Sequence, residues 1–200
     1  MLYIKKRSGT GKLRLIIGVF TLLLLAGGGY LAALIASPIA GPLTVMKPID
    51  VQTLPTPTAN RVVIPKIGVN IAYDEGKVAL DRGAQWRYPE RGNPAMGGNF
   101  ILAAHRFSIQ PTPMSTIEKS PFYNISKLDV GDKIVVDYEG RRYGYSIEQI
   151  KTVAPNAIEI EAPSETAKLT LYSCGLDGAE GDRVVLVSKP LGLVALDNLQ

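Results

Sequence analysis

One stretch constrains this chain more than any other. From Leu13 to Ala36 it carries a single charge, Arg14, and its centre holds Ile16, Ile17, Val19, Phe20 and Leu22 to Leu25. About 20 consecutive apolar residues let a helix cross a bilayer. Gly27, Gly28 and Gly29 would weaken a helix in water, but glycine is common in membrane spans. The run exceeds the ~7–15 residues usual for the core of a secretory signal, which favours a retained anchor. The small residues near Ala33, Ala36 and Ala40 keep a cleaved signal open as the alternative. Lys5, Lys6, Arg7, Lys12 and Arg14 lie on the amino-terminal side, and the positive-inside bias assigns that side to the cytoplasm. The expected layout is a basic cytoplasmic segment over 1–12, a transmembrane anchor over 13–36, a linker over 37–60 and a folded domain over 61–200, outside the cell.

The same basic cluster explains the charge balance. The chain has 22 basic and 18 acidic residues, and every acidic residue lies at or after Asp50. Setting aside the five amino-terminal cations leaves 17 basic against 18 acidic residues. The body of the protein is therefore almost neutral, so the basic excess reports topology and gives no support for nucleic acid as a partner.

Between Ser37 and Asn60 come Pro38, Pro42, Pro48, Pro55 and Pro57 with Thr53, Thr56 and Thr58, a composition that suits an extended, solvated linker. Roughly 130 residues follow, enough to bury a core without disulfides. They read mainly as short strands. Val62-Val63-Ile64 runs into Pro65, which ends a strand or confines it to an edge. Phe100 to Ala104 is an apolar run ending at His105. Lys133–Tyr138 and Arg142–Ile147 flank Glu139-Gly140 as a hairpin. Lys168–Ser173 and Arg183–Ser188 form another strand pair around a loop rich in Gly and Asp, and Ser115 to Leu128 can hold a helical turn or two. Many short strands separated by turn signals indicate a barrel or sandwich.

The chain contains one cysteine, Cys174, and one histidine, His105. An exported protein normally uses cysteines in disulfide pairs, so a single one is buried, paired with another molecule, or reactive. Strand alternation puts Leu169, Leu171 and Ser173 on one face and Thr170, Tyr172 and Cys174 on the other. Cys174 then ends its strand beside a loop, His105 ends another, and Arg183 opens the strand returning beside Cys174. Strand ends beside loops display accessible chemistry. A thiol with a pKa near ~8.5 is only slightly ionised at neutral pH, yet its thiolate is strongly nucleophilic. Histidine can shuttle a proton to a leaving amine and from an incoming one. Arginine stays protonated, so it can donate to an oxyanion or substrate carbonyl but cannot serve as a base. The bland alternative for Arg183 is a surface ion pair with Asp177, Glu180 or Asp182.

Thr170-Leu171-Tyr172-Ser173-Cys174 followed by Arg183 resembles the TLxTC signature and downstream arginine of sortases. Ile64-Pro65-Lys66-Ile67-Gly68-Val69 is similar to their first strand, Gly98-Asn99 through His105-Arg106 to the segment bearing their histidine, and Leu128 to Asp132 to their Leu-x-x-Gly-Asp turn. The resemblance implies a mainly β fold: a closed eight-stranded sortase-type barrel with short helices, preceded by one transmembrane helix. It implies a cysteine transpeptidase that cleaves an LPxTG-like sorting signal between Thr and Gly. The acyl group would pass through a Cys174 thioester to an amine on a cell-wall precursor or another protein, with hydrolysis when no amine is present. Cys174 takes the nucleophile's place, His105 that of the general acid/base and Arg183 that of the stabilising donor. The implied partners are surface proteins bearing sorting signals, the amine acceptor and the membrane.

Ser173 departs from the usual Thr, and Ala104 from a frequent Gly. The missing Asp-Pro-aromatic lid and missing second span favour a class-A-like anchoring role over pilin assembly. Thr170 and Ser173, with Val153, Ala154 and Ile158 in the segment Thr152 to Ala167, are the candidate substrate contacts, and Ile160 belongs with them; these apolar side chains fit ordinary core equally well. No cofactor or metal is expected. Glu159, Glu161 and Asp177 are available to calcium, which some sortases need, but no ligand spacing stands out. Two other readings stay open. An L,D-transpeptidase would keep His, Gly and Cys-x-Arg close together, unlike this chain, and a non-catalytic tethered β-domain would leave Cys174 as packing.

Overall fold

Apolar runs separated by turn residues become strands wherever a neighbouring strand can satisfy their backbone, and here nearly all of them do. The computed structural model describes residues 10–40, 48–175 and 178–194. The strands are β1 (Arg61–Ile64), β2 (Val69–Glu75), β3 (Gly83–Arg87), β4 (Gly92–Asn93), β5 (Gly97–Ala104), β6 (Lys133–Tyr138), β7 (Arg141–Val153), β8 (Lys168–Gly175) and β9 (Gly178–Leu193). The helices are α1 (Thr10–Ala40) and α2 (Pro113–Glu118).

The strands pair in the order β3-β2-β1-β6-β7-β9-β8-β5, and β5 pairs back onto β3. That last pairing closes an eight-stranded barrel; the two-residue β4 merely adds to β5. Closure removes the exposed edges an open sheet would leave. β1 therefore lies between β2 and β6 and is not an edge strand. Pro65 instead ends it by starting a 3₁₀ turn over Pro65–Ile67. The hairpin at Glu139-Gly140 forms with both residues at positive φ, 46° and 73°, as a two-residue I′ connection requires.

Strand alternation fills the interior with Val62, Ile64, Phe100, Leu102, Ile134, Leu169, Leu171 and Leu186, all at most 1% exposed. Trp86 and Tyr73 meet Phe100 edge-to-face at 5.6 and 5.5 Å between ring centres, the geometry ring quadrupoles favour. β7 runs six residues past the sequence expectation, through 148–153, because β9 supplies a ladder as far as Arg183. The segment expected to be a Gly- and Asp-rich loop is shorter because β9 begins at Gly178, paired with Gly175 of β8.

α1 is about 46 Å long from its 31 residues, longer than a ~30 Å hydrocarbon core. Over residues 11–37 its apolar side chains are exposed apart from Leu34, which is buried. It extends beyond the expected 13–36 at both ends. The carboxyl-terminal part of the expected linker does not stand free in solvent. Leu54 packs on Val63 and Val135, joined by Ile49 and Val51. Arg142 donates to the carbonyls of Leu54 and Pro55 while paired at 2.7 Å with Asp137. Proline and threonine composition signals an extended backbone but cannot reveal that three apolar residues find a patch on the barrel. Residues 1–9 of the basic segment and 41–47 of the linker lie outside the described residues.

Candidate active site

β8 is the strand around which the site is built. Its inner face buries Leu169, Leu171 and Ser173, and its outer face carries Thr170, Tyr172 and Cys174. On one side β9 runs antiparallel, and Cys174 is the register partner of Arg183. On the other side β5 runs parallel, with Ala103 opposite Tyr172. Two residues further along each strand lie His105 and Cys174, so the parallel register carries the histidine to the level of the cysteine. The backbone carbonyl of His105 accepts a hydrogen bond from the Phe122 amide at 3.1 Å, which fixes the chain where the β5 ladder ends. Phe122 is itself completely buried.

Cys174, His105 and Arg183 are all half-buried and line one cleft of about 440 Å³, within the range of small-molecule and peptide-segment sites. Ala103, Ala104, Gln85, Arg87, Tyr88 and Tyr172 form its floor and near wall, and Pro155, Ala157, Ile158, Ile160 and Glu161 its far wall. Arg183 Nη1 donates to the Gly181 carbonyl at 2.6 Å. Cys174 is a free thiol. The thiol, the imidazole and the guanidinium thus share one solvent-reachable space, and these residue types are chemically able to act as nucleophile, proton carrier and fixed cation.

The expected substrate contacts divide. Ser173 lines the cleft, and its hydroxyl oxygen is buried without a hydrogen-bond partner among the described residues. Ile158, 80% exposed, and Ile160 line it as well. Thr170 does not: it is buried, and its hydroxyl donates to Asn99 Oδ1 at 2.7 Å. The reason is local: Asn99, which accepts this bond, also donates to the carbonyls of Ile160 and Ala162, so the chain at the turn Ile158–Glu161 is tied down beside Thr170. Val153 pairs with Arg183 from the next strand outward, one strand further from Cys174, and neither it nor the exposed Ala154 lines the cleft.

A second set of residues was not singled out for this site by sequence reasoning. Arg87 Nε donates to Glu161 Oε1 at 2.9 Å, and Tyr172 donates to the same oxygen at 2.6 Å. Burial pushes the Tyr172 phenol above its ordinary pKa, and the bond to Glu161 adds to the shift. Arg91 stacks on the Tyr88 ring, 3.7 Å from its centre, and Tyr88 holds a left-handed φ of 50°. The available signal was alternation: Gln85 and Arg87 fall on the outer face of β3, polar residues where a barrel wall would otherwise be featureless. Among the described residues no group of three His, Cys, Asp or Glu side chains is placed to hold a metal. Glu161, one of the acids considered for calcium, is instead engaged by Arg87 and Tyr172, and Asp177 lies outside the described residues.

A closed mixed barrel whose lone cysteine sits at a strand end, between the ends of a parallel and an antiparallel neighbour, defines a class of cysteine-bearing barrel with an open cleft. Residues 62–191 match the family model described as the Sortase domain, so the chain belongs to the sortase family. Over 109 residues it is 34% identical to Sortase SrtE1 of Streptomyces coelicolor, a match covering 50% of this chain and 28% of that relative's length. A Clostridium perfringens Sortase D5 transpeptidase superposes with a TM-score of 0.55 at 26% identity, over 67% of this chain and 79% of that one. Sortase A of Listeria monocytogenes shares the fold, with a TM-score of 0.57 at 23% identity over 70% and 92% of the two chains. Sortases are cysteine transpeptidases, and this chain carries a single cysteine.

Proposed function

We propose that this protein is a membrane-anchored transpeptidase, oriented with its amino terminus in the cytoplasm and its barrel outside. It cleaves an LPxTG-like sorting signal between Thr and Gly and transfers the acyl part to an amine of a cell-wall precursor or another protein. The observation that carries the reading is that the chain's one cysteine and one histidine, distant in sequence, line one cleft together with Arg183.

In this mechanism the Cys174 proton passes to the His105 imidazole, and the thiolate adds to the threonine carbonyl carbon. The carbonyl electron pair moves onto oxygen, where the Arg183 guanidinium stabilises it. Collapse restores the carbonyl, breaks the carbon–nitrogen bond and releases the glycine amine, which takes the proton from His105. The product on the enzyme is a Cys174 thioester. An incoming amine gives its proton to His105, attacks the thioester and expels the thiolate; water in place of the amine gives hydrolysis. The apolar surface of Ile158 and Ile160 is the substrate contact this reading favours; the Ser173 hydroxyl is buried on the inner face of β8.

The test uses the full chain in detergent micelles with a panel of LPxTG-type peptides and an added amine. Mass spectrometry is expected to detect an acyl adduct on Cys174 and a transfer product that grows with amine concentration. Cys174→Ala should give neither, and His105→Ala should fold normally yet turn over at least 10²-fold more slowly. Identical, adduct-free spectra from wild type and Cys174→Ala across the panel would overturn the assignment.

A further inference from the structure

The connection from β7 to β8 forms no ladder with any strand, yet it supplies the whole far wall of the cleft. Side chains from the barrel hold it. Asn99, completely buried, donates through Nδ2 to the carbonyls of Ile160 and Ala162 at 3.2 and 2.7 Å. Arg91 Nη1 donates to the Glu161 carbonyl at 2.6 Å. Among these ties the turn's own side chain contributes one, the Glu161 carboxylate, which receives both Arg87 and Tyr172. Its side chain is 12% exposed and that of Arg87 29%, so this is an ion pair largely withdrawn from water, unlike surface pairs that contribute little.

We propose that Glu161 is a positioning residue: its carboxylate, clasped by Arg87 and Tyr172, pins the turn Ile158–Glu161 over the cleft before substrate arrives. The proposal deepens the transpeptidase reading and rests on it for its kinetic consequence alone. A peptide entering a formed cleft need not order the wall that receives it, and preorganisation of this kind appears as affinity. If loss of the carboxylate leaves the wall in place a tenth of the time, apparent affinity falls about tenfold. Chemistry at Cys174 is untouched once the peptide is bound, because Glu161 contacts neither the thiol nor His105. The Glu161 carboxylate is already neutralised by a guanidinium, so its hold on the turn does not depend on calcium.

Two measurements test this on the full chain in micelles. Hydrogen exchange followed by mass spectrometry, without peptide, should show amides of residues 157–163 exchanging at least tenfold faster in Glu161→Ala, with the rest of the barrel unchanged. Tyr172→Phe, which removes one hydroxyl and keeps the ring, should give a smaller increase confined to the same segment. Glu161→Gln, which still accepts the tyrosine hydrogen bond, should fall between wild type and Glu161→Ala. With the best peptide of the panel, KM should rise about tenfold or more in Glu161→Ala while kcat changes less than twofold. Calcium and a chelator should leave both constants unchanged. Exchange unaltered in both Glu161→Ala and Tyr172→Phe, or KM unaltered where exchange has risen, overturns the proposal. Should Glu161→Ala fail to fold, Tyr172→Phe alone decides between these outcomes. If wild type turns over no peptide at all, the transpeptidase reading fails, and the exchange result still decides whether Glu161 pins the wall.

Discussion

Cys174 and Arg183 face each other as cross-strand partners at the last regular step of the β8–β9 ladder, before the register breaks at Gly175. The guanidinium is thus placed by backbone pairing as well as by its bond to the Gly181 carbonyl. The register sets the two side chains out from neighbouring positions on adjacent strands.

Removing this cation should therefore act on the chemical step. Arg183→Ala is expected to lower kcat by on the order of 10²–10³, the usual effect of losing an oxyanion donor. Arg183→Lys should recover only part of it, because an ammonium lacks the planar fork. Steady-state kinetics with a cleavable peptide measures both. An effect confined to KM would reassign Arg183 to ground-state binding.

The ion pair of Asp137 and Arg142 joins β6 to β7 outside the cleft lining and is nearly inaccessible, with side chains 5% and 2% exposed. Leaving one buried charge without its partner costs about 3–5 kcal/mol. Asp137→Ala should lose that much stability in urea unfolding, and the double variant Asp137→Ala with Arg142→Met should regain most of it. The double variant should also release Leu54 and Pro55, whose carbonyls Arg142 holds, exposing that segment to proteolysis.

Tyr73 and Tyr145 sit within the wall, and burial pushes both phenols above their ordinary pKa. A raised folded pKa means that the unfolded chain releases the proton first. The neutral phenols' contribution is complete below the unfolded value of about 10 and is lost as pH climbs from there toward the folded values. Stability should accordingly decline above pH ~10. Tyr73→Phe should flatten that alkaline limb while losing the 3.0 Å bond to the Asp137 carbonyl. Unfolding curves across the alkaline range check the slope.

Gly98 has a φ of 77°, and a Cβ there would come within 2.4 Å of the Arg91 carbonyl oxygen. Gly98→Ala must strain the backbone and push on Arg91, at an expected cost of about 1–3 kcal/mol. Because Asn99 follows directly and Arg91 reaches the Glu161 carbonyl, its thermal destabilisation should come with faster amide exchange over 157–163. Destabilisation without that local change would separate the glycine from the cleft wall.

Much of this architecture was legible beforehand, and the gaps have physical causes. Alternation in 169–174 assigned the correct inner face to Leu169 and Leu171, and the apolar run 100–104 ended where β5 ends, because period-two patterning reports burial directly. Thr170 escaped that logic: an outward-facing residue is taken as exposed unless another segment covers it, and the covering turn makes no strand of its own. Leu54 was missed similarly, since a docked strap and a free linker share a composition. Pairings between distant elements, such as Arg87 with Glu161, leave no local periodicity to detect.

The parallel seam between β5 and β8 has a kinetic consequence. Parallel neighbours cannot be joined by a tight hairpin and must wait for a long crossover to fold back. The β5–β8 seam pairs Asn99 with Lys168, far apart in the chain, so it is among the highest-contact-order steps in the molecule and forms late. Until it closes, His105 is not held at the level of Cys174. On the proposed mechanism, a nascent, partly unfolded or proteolytically opened chain would therefore cleave no peptide, and activity would arrive together with the completed barrel.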